Sequence, residues 1–568
     1  MAHPYDGGEL LVTALTDLGV DWIFSSPGSE WSPVWEALAR RARDGEDAPH
    51  YVDVTHETVA VAMATGYGLV TRRPQAVLLH AAPGLLQGGM AIHGALLAGV
   101  GMVVASSEST TYGEGDGPDP GGQWYRNLSI VGGPHQIAQP FTKWSNEAAS
   151  VTTLHGMVTR AGELAGASPA GPVYLNVPLE VLLDQTQPPA DAYRVVPRGR
   201  AVAVDDDLDV VAELLTSAKL PIVVTETAGR DEGGFEALRA LCEALGIAVI
   251  EPSSAVCGNF PKSSPLHLGG ELESLMDEAD LILLVNCRAP FYPPSRRPAK
   301  ARIVVIDDVP QRPHIVYQVL RADHYLEGDL PETLDRLRIK ALERSADVDV
   351  LEERARHVSA AREKWARATE ALEQKALAEG AGIDPVRLAV SLRSLVRESD
   401  AVVVDETITH GRVVQRHLGW EAPDRYFYVQ GGLGQGIGVA LGVKLAVDKK
   451  MVVLTIGDGA FLYNPIVQSL QAAKDCVLPL LIVIFNNKKY LSMKMNHLRF
   501  YPSGAAVETG NHLGVDLSAQ PELSAFAAPF DMFHAAVDDP AQLDGVLAAA
   551  RAAVEGGTTA VVNVSVTR

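Results

Sequence analysis

The sequence is short of cysteine, of long apolar segments and of positive charge, and each shortage excludes a class of protein. No apolar run reaches about 18 residues, the length that indicates a membrane span. Acidic residues outnumber basic ones by 70 to 48, and the net charge of −22 argues against nucleic acid or an anionic membrane as a partner. The few cysteines show neither metal-binding spacing nor a disulfide pattern: Cys242, Cys257, Cys287 and Cys476.

The remaining composition is that of a globular protein. Hydrophobic residues make up 47% of the 568 residues, charged residues make up 21%, and the mean hydropathy is +0.06. This length leaves room for three domains. The N-terminus lacks a basic region followed by an apolar core, so no signal peptide is expected. We therefore expect a cytoplasmic protein with reduced cysteines.

One stretch near the C-terminus organises the rest of the chain. Met451–Ile456 and Val477–Phe485 have the length and apolar composition of strands. Apolar residues recur at helical spacing between Ile466 and Ala473. The stretch therefore predicts a β-α-β unit with parallel strands and a right-handed crossover.

The carboxyl ends of these two strands carry oxygen donors. Gly457, Asp458 and Gly459 follow the first strand, and Asn486 and Asn487 follow the second. If the strands are neighbours, their ends lie side by side, where open α/β sheets bind ligands. A carboxylate and an amide oxygen suit Mg²⁺, and the glycines let the backbone approach a phosphate closely.

Strand-like and helical stretches alternate through most of the chain. They predict an α/β protein with three doubly wound parallel-sheet domains at 1–188, 189–345 and 384–568. The charged segment 346–383 is interpreted as a solvated helical linker. No Gly-x-Gly-x-x-Gly motif in the central region supports dinucleotide binding. Residues 491–515 form a polar stretch without clear periodicity, which is either a lid, a pocket wall or a surface loop.

The Gly-Asp-Gly and Asn-Asn pair, with a spacer of just under thirty residues, resembles the diphosphate-binding motif of thiamine diphosphate (ThDP) enzymes. The resemblance extends over nearly the whole chain to 2-oxo acid decarboxylases, carboligases and acetolactate synthases. It implies pyrimidine-binding, central and diphosphate-binding domains in that order. It also implies that Mg²⁺ is bound by Asp458, Asn487 and the main-chain carbonyl of Lys489.

The same resemblance assigns the other cofactor contacts. Glu57 matches the glutamate that hydrogen-bonds the aminopyrimidine ring and promotes loss of the thiazolium C2 proton. Gly431 matches the residue whose carbonyl accepts a hydrogen bond from the exocyclic amine of the cofactor. Leu433 matches the bulky apolar residue that holds the cofactor in its bent conformation. The remaining implied contacts are Thr409, Gly457, Gly459, Ala460 and Tyr490. From its residues alone, Glu57 also fits an exposed helix-start glutamate stabilised by the helix dipole.

Two loops favour a decarboxylase. Residues 25–29 and 79–84 resemble loops of benzoylformate decarboxylases, in which a serine and a histidine face the 2-oxo acid; these match Ser29 and His80. Acetolactate synthases usually carry Thr-Ser-Gly-Pro-Gly at the second loop. A further decarboxylase histidine, from the central domain, is missing from the aromatic stretch 289–294. The implied pocket residues are Ser492, Met493 and Asn496, with Asn496 in place of an aromatic residue.

The resemblance therefore implies an enzyme that cleaves or forms a C–C bond next to a carbonyl, most simply a 2-oxo acid decarboxylase or carboligase. Three alternatives stay open: an acetolactate synthase-like transferase, a 2-hydroxyacyl-CoA lyase and a non-catalytic ThDP-fold protein. Because family sites join Glu57 of one subunit to Asp458 of another, the resemblance also implies a homodimer or homotetramer. His80 alone would more often be structural, but its loop favours a role with substrate.

Overall fold

The chain forms two compact units that are not continuous in sequence. The computed structural model describes residues 5–109, 121–189, 195–196, 199–272, 275–288, 296–312, 321–344 and 348–567. The first unit contains Met1–Arg198, Val429–Asp448 and Asn464–Leu478, and the second Gly199–Tyr428, Lys449–Tyr463 and Pro479–Arg568. In the described ranges no helix is both long and apolar enough to cross a bilayer.

The first unit is built on a six-stranded parallel sheet in the order β2-β1-β3-β4-β6-β5. Its strands are β1 (Trp22–Ser26), β2 (His50–Asp53), β3 (Gln75–Leu79), β4 (Met102–Ser106), β5 (Ser145–Glu147) and β6 (Pro172–Asn176). Its helices within the N-terminal segment are α1 (Gly7–Asp17), α2 (Ser32–Asp44), α3 (Glu57–Thr71), α4 (Ala81–Ala98), α5 (Pro134–Ala138), α6 (Val151–Gly166) and α7 (Leu179–Leu183). The central strands are buried on both faces, as parallel strands between helices are.

The second unit contains two parallel sheets. The five-stranded sheet has the order β11-β10-β9-β7-β8. Its strands are β7 (Pro221–Thr225), β8 (Ala248–Ile250), β9 (Leu281–Val285), β10 (Arg302–Asp307) and β11 (His324–Glu327). The helices of this region are α8 (Asp205–Ser217), α9 (Gly234–Leu245), α10 (Leu330–Glu343) and the long α11 (Val348–Ala378).

Helix α11 spans most of the segment 346–383 that was predicted as a solvated helical linker. Most of its side chains are exposed, but Arg354 is buried and donates to the carbonyls of Leu215, Ala218 and Leu245. These carbonyls lie at or next to the C-terminal ends of α8 and α9, where backbone acceptors lack partners within the helix. The helix is therefore anchored to the five-stranded sheet's helical layer.

The second sheet of this unit has six strands in the order β13-β12-β14-β15-β17-β16. These are β12 (Val402–Glu406), β13 (Tyr426–Tyr428), β14 (Val452–Gly457), β15 (Leu481–Asn486), β16 (Phe533–Val537) and β17 (Ala560–Ser565). Helices of the C-terminal part of the chain are α12 (Pro385–Glu398), α13 (Gly411–His417), α14 (Gly436–Val447), α15 (Asp458–Tyr463), α16 (Ile466–Asp475), α17 (Leu491–Phe500), α18 (Ala505–Thr509) and α19 (Leu543–Glu555). The predicted class, three parallel-sheet α/β domains, is confirmed.

The predicted β-α-β unit is present with two differences. Strands β14 and β15 are parallel neighbours, with Gly457 opposite Phe485. Two helices, α15 and α16, connect them where one was predicted. The second strand begins at Leu481 rather than Val477, because Val477 is exposed and has a left-handed φ of 54°.

Helices α3 and α14 make a very close contact within the first unit. A Cβ at Gly66 would lie 2.0 Å from the Val439 carbonyl oxygen, and one at Gly442 would lie 1.9 Å from the Met63 oxygen. Real Cβ atoms do not approach this closely, so glycine is required on both helices. The small residues of α3 and α14 thus let the two helices pack closely.

Candidate functional site

Asp458 lies at the carboxyl end of β14, as the first residue of α15. Its side chain is buried; Oδ1 accepts from the Gly459 N–H at 3.0 Å, whereas Oδ2 has no hydrogen-bond donor. Burial raises the pKa of this carboxyl to about 6, although the Gly459 N–H favours its charged form. A buried carboxylate oxygen without a donor is costly, and a cation would satisfy it.

The turn after β15 lies beside this carboxyl. The backbone N–H groups of Lys488 and Lys489 are close enough to favour the charged form of Asp458. Lys488 has a left-handed φ of 56°, and the Asn487 Oδ1 accepts from the Lys489 N–H at 3.1 Å, which fixes the turn. The Lys489 carbonyl accepts from Leu491 N–H at 3.0 Å and keeps a second lone pair.

The donor set fits Mg²⁺. It consists of the Asp458 carboxylate, the Asn487 amide oxygen and the Lys489 carbonyl, all hard oxygen donors, and Mg²⁺ usually completes its shell with water and phosphate. Among the described residues no cluster of three His, Cys, Asp or Glu side chains could hold a metal instead. The fit therefore rests on one carboxylate supported by neutral oxygens.

The backbone around Asp458 leaves space on one side and is closed on the other. A Cβ at Gly457 would meet no atom within 4 Å, whereas one at Gly459 would lie 2.3 Å from the Tyr490 ring. A larger residue at position 459 would therefore clash with the Tyr490 ring, whereas Gly457 faces open space. Ala460 is buried in α15.

Thr409 lies on the turn between β12 and α13 and is half-buried. The turn is held from below by Asp405, which is buried and accepts from Thr407 N–H at 2.9 Å, Thr407 Oγ1 at 2.6 Å, Thr455 Oγ1 at 3.0 Å and the Tyr426 hydroxyl at 3.1 Å. Asp405 and Glu406 are the last two residues of β12. Both are buried because the strand is central in its sheet.

Residues 491–515 are more regular than predicted, because they contain helices α17 and α18. Ser492 is half-buried, whereas Met493 and Asn496 are exposed on α17, a helix that buries none of its residues. Its predicted pocket residues are therefore not closed in by other described residues of this unit. Tyr490, just before α17, is half-buried and lies edge-on to Tyr463 at 6.5 Å.

The other predicted residues lie in the first unit, where Glu57 and His80 both lie near Gly84 in the first turn of α4. Glu57 is the first residue of α3 and is half-buried. A Cβ at Gly84 would lie 3.3 Å from Glu57 Oε1 and 3.4 Å from the His80 Cβ. The glycine therefore allows the carboxyl of Glu57 to lie against the turn that carries His80.

Glu30 is a buried partner of His80 that sequence reasoning missed. Its carboxyl group is almost fully buried and lies 2.8 and 3.0 Å from His80 Nδ1, and it also accepts from the Ala81 N–H at 3.1 Å. The hydrogen bond to Glu30 raises the pKa of His80, against the opposing effect of burial. Ser29 precedes Glu30 and is exposed, at the start of a short 3₁₀ helix, Ser29–Trp31.

Gly431 and Leu433 belong to a loop before α14 in the same unit. Gly431 has a left-handed φ of 89°, and a Cβ there would lie 2.9 Å from the Gly94 Cα. The Gln435 side chain donates to the Gly432 carbonyl at 2.8 Å and holds the loop, while Leu433 is half-buried. The aromatic stretch 289–294 lies outside the described residues.

The chain matches known families along its length. Models described as the N-terminal TPP binding domain, the central domain and the C-terminal TPP binding domain of "Thiamine pyrophosphate enzyme" match residues 5–132, 208–337 and 408–564.

Curated relatives cover most of the chain at low identity. A Pseudomonas aeruginosa protein, "Probable 2-ketoarginine decarboxylase AruI", is 27% identical over 84% of this chain and 82% of its own length. The acetolactate synthase of Bacillus subtilis is 24% identical over 95% of this chain and 90% of its own length. The crystal structure of benzoylformate decarboxylase from Polynucleobacter necessarius has a TM-score of 0.78, with 21% identity over 99% and 98% of the two chains, and shows the shared fold. The three matched domains together show that the chain belongs to the family of thiamine diphosphate-dependent enzymes.

Proposed function

We propose that the protein is a ThDP- and Mg²⁺-dependent 2-oxo acid decarboxylase or carboligase. Asp458, Asn487 and the Lys489 carbonyl would hold Mg²⁺ at the diphosphate, with Thr409, Gly457, Gly459, Ala460 and Tyr490 around it. Glu57, Gly431 and Leu433 would hold the aminopyrimidine ring and set its orientation. When bound, ThDP supplies the nucleophilic carbon and accepts the electron pair released with CO₂.

The pairing of His80 with Glu30 carries the proposal of reaction class. Glu30 accepts from His80 Nδ1 and so favours the tautomer in which Nε2 is left for a substrate. The partner also raises the pKa of the imidazole, which keeps a proton available nearer neutral pH. In a decarboxylation this proton would go to the carbon that lost CO₂, and the product would be an aldehyde.

The relatives include members of this class and of its main competitor. The P. aeruginosa relative is described as a decarboxylase, and the B. subtilis relative as an acetolactate synthase. His80 and its buried partner favour a decarboxylase or carboligase over an acetolactate synthase-like transferase, because a histidine held at the substrate loop supplies an acid that protonates the product carbon. The family resemblance also supports a dimer as the smallest functional unit.

A substrate screen with matched variants tests this function. Purified protein with ThDP and Mg²⁺ should release CO₂ from at least one 2-oxo acid without added FAD, and His80→Ala should reduce turnover by about 10²–10⁴-fold while it still binds ThDP. His135→Ala, which changes a half-buried histidine outside the site, should leave turnover unchanged. If the products are formed by joining two carbonyl compounds and no free aldehyde is released, the acetolactate synthase-like transferase is favoured. Cleavage of a 2-hydroxyacyl-CoA alone would favour the lyase. A protein that binds ThDP but turns over none of these substrates would be non-catalytic.

A further inference from the structure

The second unit contains a large cavity away from the proposed metal and substrate residues. Its volume is about 570 Å³, within the range of roughly 300–1,000 Å³ typical of small-molecule sites. It is lined by residues of the segment 251–271, by α11, and by α12, α13 and the loop that follows α13. None of the residues predicted to contact ThDP, Mg²⁺ or substrate lines it.

Trp365 of α11 fixes two guanidinium groups at the wall of this cavity. The Cζ atom of Arg362 lies 4.6 Å from the centroid of the Trp365 ring, and that of Arg416 lies 5.7 Å from it. The tryptophan is itself held tightly, since a Cβ at Gly269 would lie 2.2 Å from its Nε1 atom. Cation–π contacts orient both cations without neutralising their charge.

Two of the glutamates that line the cavity are engaged by other groups. Glu251 is buried and bonds to Lys262 at 2.7 Å and to His267 at 3.0 Å. These partners hold the pKa of Glu251 at about 2, against the effect of burial, so it stays charged and paired. Glu373 in turn accepts from Arg393 and His417.

The two arginines at Trp365 bond to neutral acceptors instead. Arg362 Nη1 donates to the His267 carbonyl at 2.7 Å, and Arg416 Nε donates to Thr369 Oγ1 at 2.9 Å. Within the described part of the chain, neither makes an ion pair with a carboxylate. Burial lowers the pKa of Arg362, which is the effect of removing water from a cation that lacks an opposite charge.

The rest of the wall is partly apolar. Ala366, Leu372, Val386, Val413 and Leu418 line the cavity beside the polar groups. A ligand that neutralised the guanidinium groups would therefore also find hydrocarbon surface to cover. Six lysine and arginine side chains and five glutamates line the cavity, so its wall is slightly positive in a chain whose net charge is −22.

We propose that this cavity binds a small organic anion, with its carboxylate or phosphate group paired to Arg362 and Arg416 and its apolar body against Leu372 and Val413. Guanidinium groups bind such anions through charge-assisted, often bidentate hydrogen bonds. Because α11, α13 and the segment 251–271 all contribute to the wall, the bound anion would also stabilise their association.

Binding is measured by calorimetry on the full-length protein saturated with ThDP and Mg²⁺. The probes are benzoate and phenyl phosphate, with benzamide as the uncharged analogue of benzoate. At least one anion should bind saturably, and benzamide about tenfold more weakly or not at all. Arg362→Gln and Arg416→Gln should each weaken anion binding by about tenfold or more. Arg367→Gln, which changes an exposed arginine of the same helix paired with Glu363, should leave it unchanged.

Two further variants separate this site from the substrate site and from misfolding. His80→Ala should bind the anion as the wild type does. If His80→Ala abolishes binding while Arg416→Gln retains it, the anion occupies the substrate site and the proposal is overturned. Absence of saturable binding by both anions, or wild-type affinity in both arginine variants, overturns it too. If the arginine variants do not fold, Leu372→Trp decides: it should fill the cavity and block binding, and unchanged affinity would count against the site.

Discussion

Removing the carboxylate from Glu30 should expose the dependence of His80 on its buried partner. Glu30→Gln keeps the size of the side chain and an oxygen for the Ala81 N–H, but it replaces the negative charge that lies 2.8 Å from His80 Nδ1. A hydrogen bond that involves a charged group contributes roughly 1.5–3 kcal/mol. If the bond orients and charges the imidazole for proton transfer, its loss should lower kcat roughly ten- to a hundredfold.

The pH dependence gives a second readout with a defined sign. Glu30 raises the pKa of His80, so the protonated imidazole persists to higher pH in the wild type. In Glu30→Gln the pKa should fall, and the pH limb assigned to His80 should move to lower pH. The pair also stabilises the folded protein most below the unfolded pKa of histidine, about 6.5, and this stabilisation should disappear as the pH rises through the higher folded value.

The assay combines CO₂ release across pH with an NMR titration of the His80 ring. Glu36→Gln is the matched control, since Glu36 is an exposed glutamate of α2 that pairs with Arg40 at 3.8 Å. It should change neither rate nor titration. If Glu30→Gln shows the wild-type rate and the wild-type His80 pKa, Glu30 does not position the histidine.

Three further outcomes follow from the site and the fold. Asp458→Asn should abolish the Mg²⁺-dependent rise in Tm that ThDP causes in thermal unfolding. It should also raise the Tm of the cofactor-free protein, because the buried charge at Oδ2 is removed. An unchanged response of the Tm to ThDP and Mg²⁺ would contradict the metal assignment. Glu57→Gln should bind ThDP but exchange the cofactor C2 proton slowly by NMR, and wild-type exchange would make Glu57 a helix-start residue only. Arg354→Met should lower the free energy of unfolding by about 2–4 kcal/mol in urea titrations, whereas Arg356→Met on the exposed face of α11 should have little effect.

The central strands could be predicted from sequence because their composition is decisive. β14 and β15 are continuous apolar runs, and burial on both faces selects such runs whatever the details of packing. Strands β5, β11 and β16, by contrast, lie at sheet edges and expose part of their side chains. Their residues carry no alternation strong enough to distinguish them from loops. The domain boundaries at 188, 345 and 383 stay predictions.

The residues of the candidate site also differ in how far the sequence could predict them. Asp458 and Asn487 could be located because each follows an apolar strand, and adjacent parallel strands bring their carboxyl ends together. Glu30 could not, because a glutamate after Pro-Gly-Ser has the sequence context of an exposed turn. Its burial depends on contacts with His80 and Ala81, fifty residues away in the chain. The only signal in the sequence was that Glu30 stands next to the loop serine, Ser29.

Three buried carboxylates differ in whether the protein itself satisfies their oxygens or leaves one available for a ligand. Glu30 is satisfied by His80 and the Ala81 N–H, and Asp405 by four donors, so each stabilises the loop above it. Asp458 is different, because its Oδ2 is buried without a donor. A buried acceptor that the protein does not satisfy costs free energy, and such a cost persists only where something outside the chain compensates for it. The oxygen that destabilises the cofactor-free protein is thus the one expected to bind the metal.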